Sequence, residues 1–277
     1  MLTPRVLKLV KGRDLDLRST LLQAALEKLV GLHLEGKIQA GLVVGEWGDE
    51  GVVLGYYKAY QDEDLKAYRR ITGGTDAYVD KDTGYLGLVF ASENLEEVGL
   101  LAEKLARCVG GKVWGATRFG PQRLASGVVE VIGDFHPEDA AACVGERIFG
   151  RRLLVEEIGL EGLNSISMAY SHEGWIKYLG AEPMSIKTVV RRGEYYVRVG
   201  IQIFESYISN ARVDGVFHAA PPNAPFNLAA ALAGQPANEN ALLLAEGRLG
   251  VMELLGVTRE DFYQAFLRAI RSVLDNK

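Results

Sequence analysis

The chain has 277 residues, which at ~150 residues per domain suggests one large domain or two small ones. Lys+Arg 31 against Asp+Glu 36 leaves a net charge of −5, which excludes a general electrostatic grip on nucleic acid. Apolar residues at 48% and charged residues at 24% supply enough apolar mass for a core, and no apolar run reaches the ~18 residues of a membrane span. The N-terminal stretch MLTPRVLKLVKGRDLDL carries charges every few residues and no long apolar segment, so no signal peptide is expected. The two cysteines, Cys108 and Cys143, form no C-x-x-C pair, which fits a reducing cytoplasm and argues against a disulfide scaffold or a multi-cysteine zinc module.

In chain order, LRSTLLQAALEKLV predicts the first helix, with Leu22, Ala25, Leu26 and Leu29 on one stripe. Two strand-like runs follow, AGLVVGEW and GVVLGYY, separated by Gly48-Asp49-Glu50 and read as a hairpin or short loop. The segment YRRITGGTDAYVDKDTG breaks all periodicity before YLGLVF resumes as a strand. NLEEVGLLAEKLARCVGG predicts a helix capped by Asn94 with Glu97 and stopped by Gly110-Gly111. Strands KVWGATR and GVVEVIG flank a loop, and Pro137 opens a helix running to about Phe149. EYYVRVGIQIF alternates as a half-buried strand, and ISNARVDGVF is its expected partner. Helices are expected near 241–255 and 258–274, the last capped by Thr258 with Asp261 and buried through Phe262, Phe266, Ala269 and Val273. Strands and helices lack a regular βαβ rhythm, so the fold class is α+β, with mixed sheets packed against helices.

The densest polar constellation is Tyr68-Arg69-Arg70-Ile71-Thr72-Gly73-Gly74-Thr75-Asp76. Two guanidinium groups give forked, permanently charged donors, and two glycines let backbone N–H groups approach an anion. A phosphate-binding bend and a charged turn between strands are equally compatible with this pattern alone. Neither a P-loop nor a Rossmann glycine motif occurs. The four histidines are scattered without metal-ligand spacing, so no metal site is expected.

The stretch RRITGGTDAYVDKDTGYL resembles the signature R-R-x-[ST]-G-G-G-x-V-x-H-D-x-G-x-L of the lipoate–protein ligase and biotin/lipoate ligase catalytic domain. Arg69, Arg70, Thr72, Gly73 and Gly74 match directly; Asp80, Gly84 and Leu86 match with two extra residues between Asp80 and Gly84. The segment from RRGEYYVRVGIQIF to NLAAALAG resembles the family's small accessory domain, so the resemblance implies a catalytic domain at 1–182 and an accessory domain at 183–277.

The resemblance implies a two-step reaction: ATP- and Mg2+-dependent activation of lipoate or a related acyl acid to the acyl-adenylate, then transfer to a lysine of a lipoyl-domain acceptor protein. Nucleic acid and membrane partners are not expected, and the setting is cytoplasmic. Arg70 would hold the adenylate phosphate or the carboxylate, Gly73 and Gly74 would close over it, and Asp80 would orient the ATP side through magnesium. Val52, Val53 and Leu54 would line an acyl slot or simply pack the core. The chain departs from the family at three places. Thr75 stands for the third glycine, Val79 for the histidine, and Arg123, in PQRLASG, at the place of the catalytic lysine, with one residue too many before Gly127. Arginine retains the charge on a wide flat fork, which is not interchangeable with a lysine point charge. Lys81 is a substitute lysine or a solvated surface residue. Two alternatives stand beside the ligase: a non-catalytic acyl- or adenylate-binding homologue, and a cysteine-dependent octanoyltransferase using Cys108, which is otherwise a packing cysteine.

Overall fold

A computed structural model describes residues 5–9, 18–48, 50–60, 66–120, 125–153, 155–158, 163–176 and 184–274. Its centre is a six-stranded mixed sheet built from β1 (Arg5–Leu9), β2 (Ala40–Glu46), β6 (Gly84–Ala91), β7 (Lys112–Phe119), β8 (Ser126–Gly133) and β9 (Val155–Ile158), in the order β7-β8-β6-β2-β1-β9. Helix α1 (Arg18–Leu34) covers one face, and α2 (Leu95–Val109) and α3 (Pro137–Arg147) cover the other. The stripe Leu22, Ala25, Leu26 and Leu29 is fully buried, as its spacing predicts. β2 is covered on both faces, which explains why AGLVV reads as a continuous apolar run rather than an alternation.

Of the two readings of 48–50, a hairpin or a short loop, the hairpin does not form. β2 stays in the large sheet, while β3 (Gly51–Leu54) leaves it and pairs with β4 (Ala67–Arg69) and β5 (Ala77–Val79) in a separate three-stranded sheet. Turn residues between two apolar runs mark a reversal without specifying which sheet receives the second run. RVLKL, near the N-terminus, becomes β1, parallel to both β2 and β9.

Helix α2 begins as predicted: the Asn94 carboxamide accepts from Glu97 N–H at 2.9 Å, and the Glu97 carboxylate returns to Glu93 N–H at 3.0 Å. The expectation of two unpaired cysteines is overturned. α2 and α3 lie side by side, Cys108 and Cys143 have Cα atoms 6.1 Å apart and form a disulfide, and both are half-buried rather than core. Sequence carries no signal for this bridge, because the 35-residue separation is closed only by packing both helices on one sheet face. The bridge removes the Cys108 thiolate that octanoyl transfer would require.

The C-terminal part forms an antiparallel sheet β10-β11-β12, from Ile186–Arg192, Tyr195–Phe204 and Tyr207–Val216. Val197, Val199 and Ile201 point to one core with α6 (Ala224–Leu232), α7 (Glu239–Leu249) and α8 (Arg259–Leu274). Phe262, Phe266 and Ala269 are buried in it, and the Val273 side chain lies outside the described residues. The helix expected over 241–255 stops at Leu249. Glu253–Leu255 forms β14 against β13 (His218–Ala220), a pairing that a short apolar run cannot announce. Tyr57 crosses into this core, stacked on Phe217 at 4.4 Å with its hydroxyl donating to Pro222 O. The boundary expected at 182/183 falls outside the described residues.

Candidate functional site

β4 ends at Arg69, a bend runs through Arg70–Asp76, and β5 resumes at Ala77. The twin glycines have a steric cause. A Cβ on Gly73 would meet Phe217 O at 2.3 Å, and one on Gly74, at φ +108°, would meet Trp114 O at 2.4 Å. Gly74 N–H donates to Phe217 O at 2.8 Å, so the bend is pressed against the C-terminal part.

Both arginines are enclosed. Arg69, 1% exposed, donates from Nε to Trp175 O and Ile176 O, from Nη1 to Gly55 O and Tyr56 O, and from Nη2 to Ile176 O at 2.8 Å. Trp175 and Ile176 end α5 (Glu173–Ile176), whose last carbonyls have no intrahelical partner. The Trp175 indole N–H returns to Arg69 O at 2.9 Å, so the two residues lock each other.

Arg70, fully buried, donates from Nε to Thr72 Oγ1 at 3.1 Å and from Nη2 to Gly73 O at 3.0 Å and Trp114 O at 2.7 Å. Its guanidinium lies 4.6 Å from the centre of a Trp114 ring, and Nη1 has no hydrogen-bond partner. Its counter-ion is Glu130, equally buried, 3.9 Å away. Glu130 accepts from the Thr72 and Tyr85 hydroxyls and from the Gln23 amide, and Gln23 Oε1 receives Ile71 N–H. Burial pulls the Arg70 guanidinium down to about 10, still charged at neutral pH.

His218 closes the same cluster. Its Nδ1 accepts from Ala116 N–H at 3.1 Å, and the ring makes a second backbone bond at Gly73. Burial, aided by the Arg70 charge, lowers its pKa to about 4, so it is neutral. Lys58 pairs with Asp76 at 2.9 Å at the end of the bend.

The bend separates two hollows. On one side an apolar cavity of about 540 Å³ is lined by Val30, Gly31 and Leu34 of α1 and by the aromatics Tyr56, Phe119, Tyr170 and Trp175; Ile71 of the bend lines it as well. Glu27 stands at this cavity and accepts from the Tyr170 hydroxyl; burial foremost, and then this carboxylate, push the phenol pKa up. On the other side a polar cleft of about 770 Å³ takes in Thr75, Asp76 and Tyr78, with Arg107, Lys112, Trp114 and His218 among its walls.

Of the sequence-predicted residues, Arg69, Arg70, Thr72, Gly73 and Gly74 converge in one buried cluster, and Thr75 lines the polar cleft. Among the described lining residues neither arginine reaches either hollow. Asp80 is exposed and bound to its own turn through Thr83 Oγ1 at 2.8 Å and Asp82 N–H, which keeps its carboxyl below the usual range. Gly84 is buried at the start of β6, and Lys81 is exposed. Val53 and Leu54 are buried in packing rather than at a hollow. Arg123 lies outside the described residues. Among the described residues no group of three or more His, Cys, Asp or Glu side chains is arranged to hold a metal ion, and no helix is long and apolar enough to cross a membrane. Sequence reasoning missed Glu130, His218 and Tyr170, and read Trp175 as core in preference to pocket wall, whereas it lines the cavity. A carboxylate inside the strand run GVVEVIG was the one available signal, because a charge at a buried position needs a buried partner.

The chain has a lipoate–protein ligase-like fold. It superposes on LipL1 of P. falciparum, solved in complex with lipoate, at TM-score 0.63 and 9% identity, over 99% of this chain and 100% of that one. Ta0514 of T. acidophilum matches at TM-score 0.44 and 13% identity, and lipoate-protein ligase A bound with ATP at 0.46 and 14%, each over 64% of this chain and 100% of its own. No protein-family model and no curated protein matches the chain.

Proposed function

We propose that this chain binds a lipoate-class acyl acid in the apolar cavity and activates it as a lipoate–protein ligase does. One observation carries the proposal: in a lipoate-ligase fold, an apolar, aromatic-walled cavity lies across the Arg69–Asp76 bend from a polar cleft. An acyl tail belongs in the first hollow by its surface chemistry. The second has room for ATP: Lys112 and Arg107, the latter paired with Glu103, stand in a wall that also carries Asp76 and Glu194, and the exposed Tyr78 offers a ring to a base. In this reading the carboxylate attacks the α-phosphorus and pyrophosphate leaves; the lysine amine of an acceptor protein then attacks the acyl carbonyl, and AMP leaves. Arg70, its charge balanced by Glu130, keeps the bend rigid between the two halves of the ligand, with Thr72, Gly73 and Gly74 shaping it and Thr75 facing the nucleotide. Arg123 serves at the lysine place in this reading. The domain division at 182/183 belongs to the same proposal, with 183–277 as the accessory unit.

The residues present do not fit a magnesium site built on Asp80, whose carboxylate is taken by its own turn, so no step is derived through the metal. LipL1 was solved with lipoate and lipoate-protein ligase A with ATP, which supports testing both ligands here. The test is calorimetric titration with lipoate and octanoate, followed by acid-dependent exchange of pyrophosphate into ATP. Binding with exchange is expected; absence of binding overturns the proposal.

A second reading, a non-catalytic acyl-binding homologue, draws on the engagement of both arginines with the chain's own carbonyls and on Arg123 in place of lysine. It predicts binding without exchange.

A further inference from the structure

Gly31 is an anomaly of helix α1. It sits inside a helix, where glycine is worse than alanine by up to about 1 kcal/mol. Nothing in the fold requires it. Its φ is not in the left-handed region, and a Cβ built on it has no atom within 4 Å. That contrasts with Gly41 and Gly87, where an added Cβ would meet packed side chains at 2.8 Å and 2.9 Å. The open space at Gly31 belongs to the apolar cavity, which Gly31 lines together with Val30 and Leu34, one residue back and three ahead. A side chain at position 31 therefore enters the cavity.

We propose that Gly31 is a specificity-determining residue: its missing side chain keeps a slot open for the distal end of an acyl chain, and the size of the residue at 31 sets the chain length the cavity accepts. The inference rests on the reading that this cavity holds the acyl group. Opposite the α1 wall, Trp175 is held by its lock with Arg69 and by ring contacts to Tyr56 at 5.8 Å and Tyr170 at 5.4 Å. With Trp175 so held, a group added at 31 is subtracted from the space available to the ligand. The helix keeps glycine at a cost in its own stability, a trade of the kind expected where room for a ligand opposes local propensity.

The test titrates hexanoate, octanoate, decanoate and dodecanoate into the full native chain and into Gly31→Ala and Gly31→Leu. Thermal melts are run on all three. Each methylene excluded from the cavity weakens binding about fourfold. Gly31→Leu is expected to bind hexanoate about as the native chain does and to lose roughly tenfold or more for the longest acid bound natively. Gly31→Ala should fall between, and both variants should melt at or above the native temperature. If native protein binds these acids and both variants bind the whole series unchanged, the inference is overturned while the acyl reading stands. Should the native chain bind none of them, or lipoate, the acyl reading itself fails. Gly31→Ala keeps the question answerable if the leucine variant does not fold.

Discussion

Arg70 and Glu130 form an ion pair from which water is excluded: Nε and Oε2 are 3.9 Å apart and neither side chain reaches solvent. The pair joins a bend of the small sheet to the middle of β8, so it adds a charged tie to the apolar cluster that Val53, Tyr68 and Val79 share with Val43, Val89 and Val128 across the two N-terminal sheets. Thr72, Tyr85 and Gln23 supply the hydrogen bonds that make a buried carboxylate tolerable there.

Removing one partner strands the other. Arg70→Ala is expected to destabilise the chain by about 3–5 kcal/mol, read by urea unfolding, because it leaves Glu130 charged and unpaired. Replacing both, Arg70→Met with Glu130→Leu, should cost clearly less than the sum of the single changes. Additive costs would mean the two groups act independently, against the geometry.

His218 gives the chain a defined acid sensitivity. Its folded pKa is about 4, against 6.5 for an unburied imidazole, so the unfolded state takes up the proton first. The contribution is complete above pH 6.5 and is lost as pH falls from there toward about 4, amounting to about 3 kcal/mol. His33, also lowered by burial, adds in the same direction. Unfolding free energy followed across this range should fall less steeply in His218→Gln than in the native chain. Parallel curves would show that the imidazole does not titrate as its burial demands.

The Cys108–Cys143 bridge closes a loop of 35 residues, for which chain entropy gives about 3–4 kcal/mol of stabilisation. Alkylation and intact-mass measurement of denatured, unreduced protein should find no free thiol. Cys143→Ser should lower stability toward that amount. A full alkylation count would restore Cys108 as an available thiol.

Much of this fold was legible because its elements carry their own signals. The α1 stripe, the Asn94 cap and the period-two run at 195–203 are local statements about periodicity and capping. What stayed hidden is non-local. Whether β3 returns to the sheet of β2, whether Glu253–Leu255 pairs or coils, and whether two cysteines meet all depend on which surfaces pack. The Arg-Arg-Gly-Gly cluster was found from sequence, yet its chemistry was only half readable. Paired guanidiniums suit any set of oxygens, and backbone carbonyls of α5 and of Gly55 and Tyr56 satisfy Arg69 as fully as a phosphate would. Gly73 and Gly74 were read as room for an anion, whereas the atoms that crowd them are Phe217 O and Trp114 O. Two aromatics of the apolar cavity, Tyr170 and Trp175, come from 163–176, a stretch whose periodicity is too weak to assign elements.

The lock between Arg69 and Trp175 makes one more prediction, about the cavity rather than the fold. Arg69 reaches five carbonyl contacts because its nitrogens are arranged as a rigid fork, and an ammonium on a flexible stem cannot span Gly55 O and Ile176 O together. Arg69→Lys therefore keeps the buried charge but releases the end of α5, and with it the ring of Trp175 that walls the cavity. Octanoate affinity is expected to drop about tenfold or more while the far-ultraviolet spectrum stays native, and the tryptophan emission, in which Trp47 and Trp114 stay buried, should shift toward that of a hydrated indole. Trp175→Phe, which retains a ring but loses the indole donor to Arg69 O, should weaken binding less than Arg69→Lys does. Were Arg69→Lys to bind octanoate as the native chain does, the carbonyl clamp would be irrelevant to the ligand, and the wall at α5 would have to be held by its aromatic contacts alone.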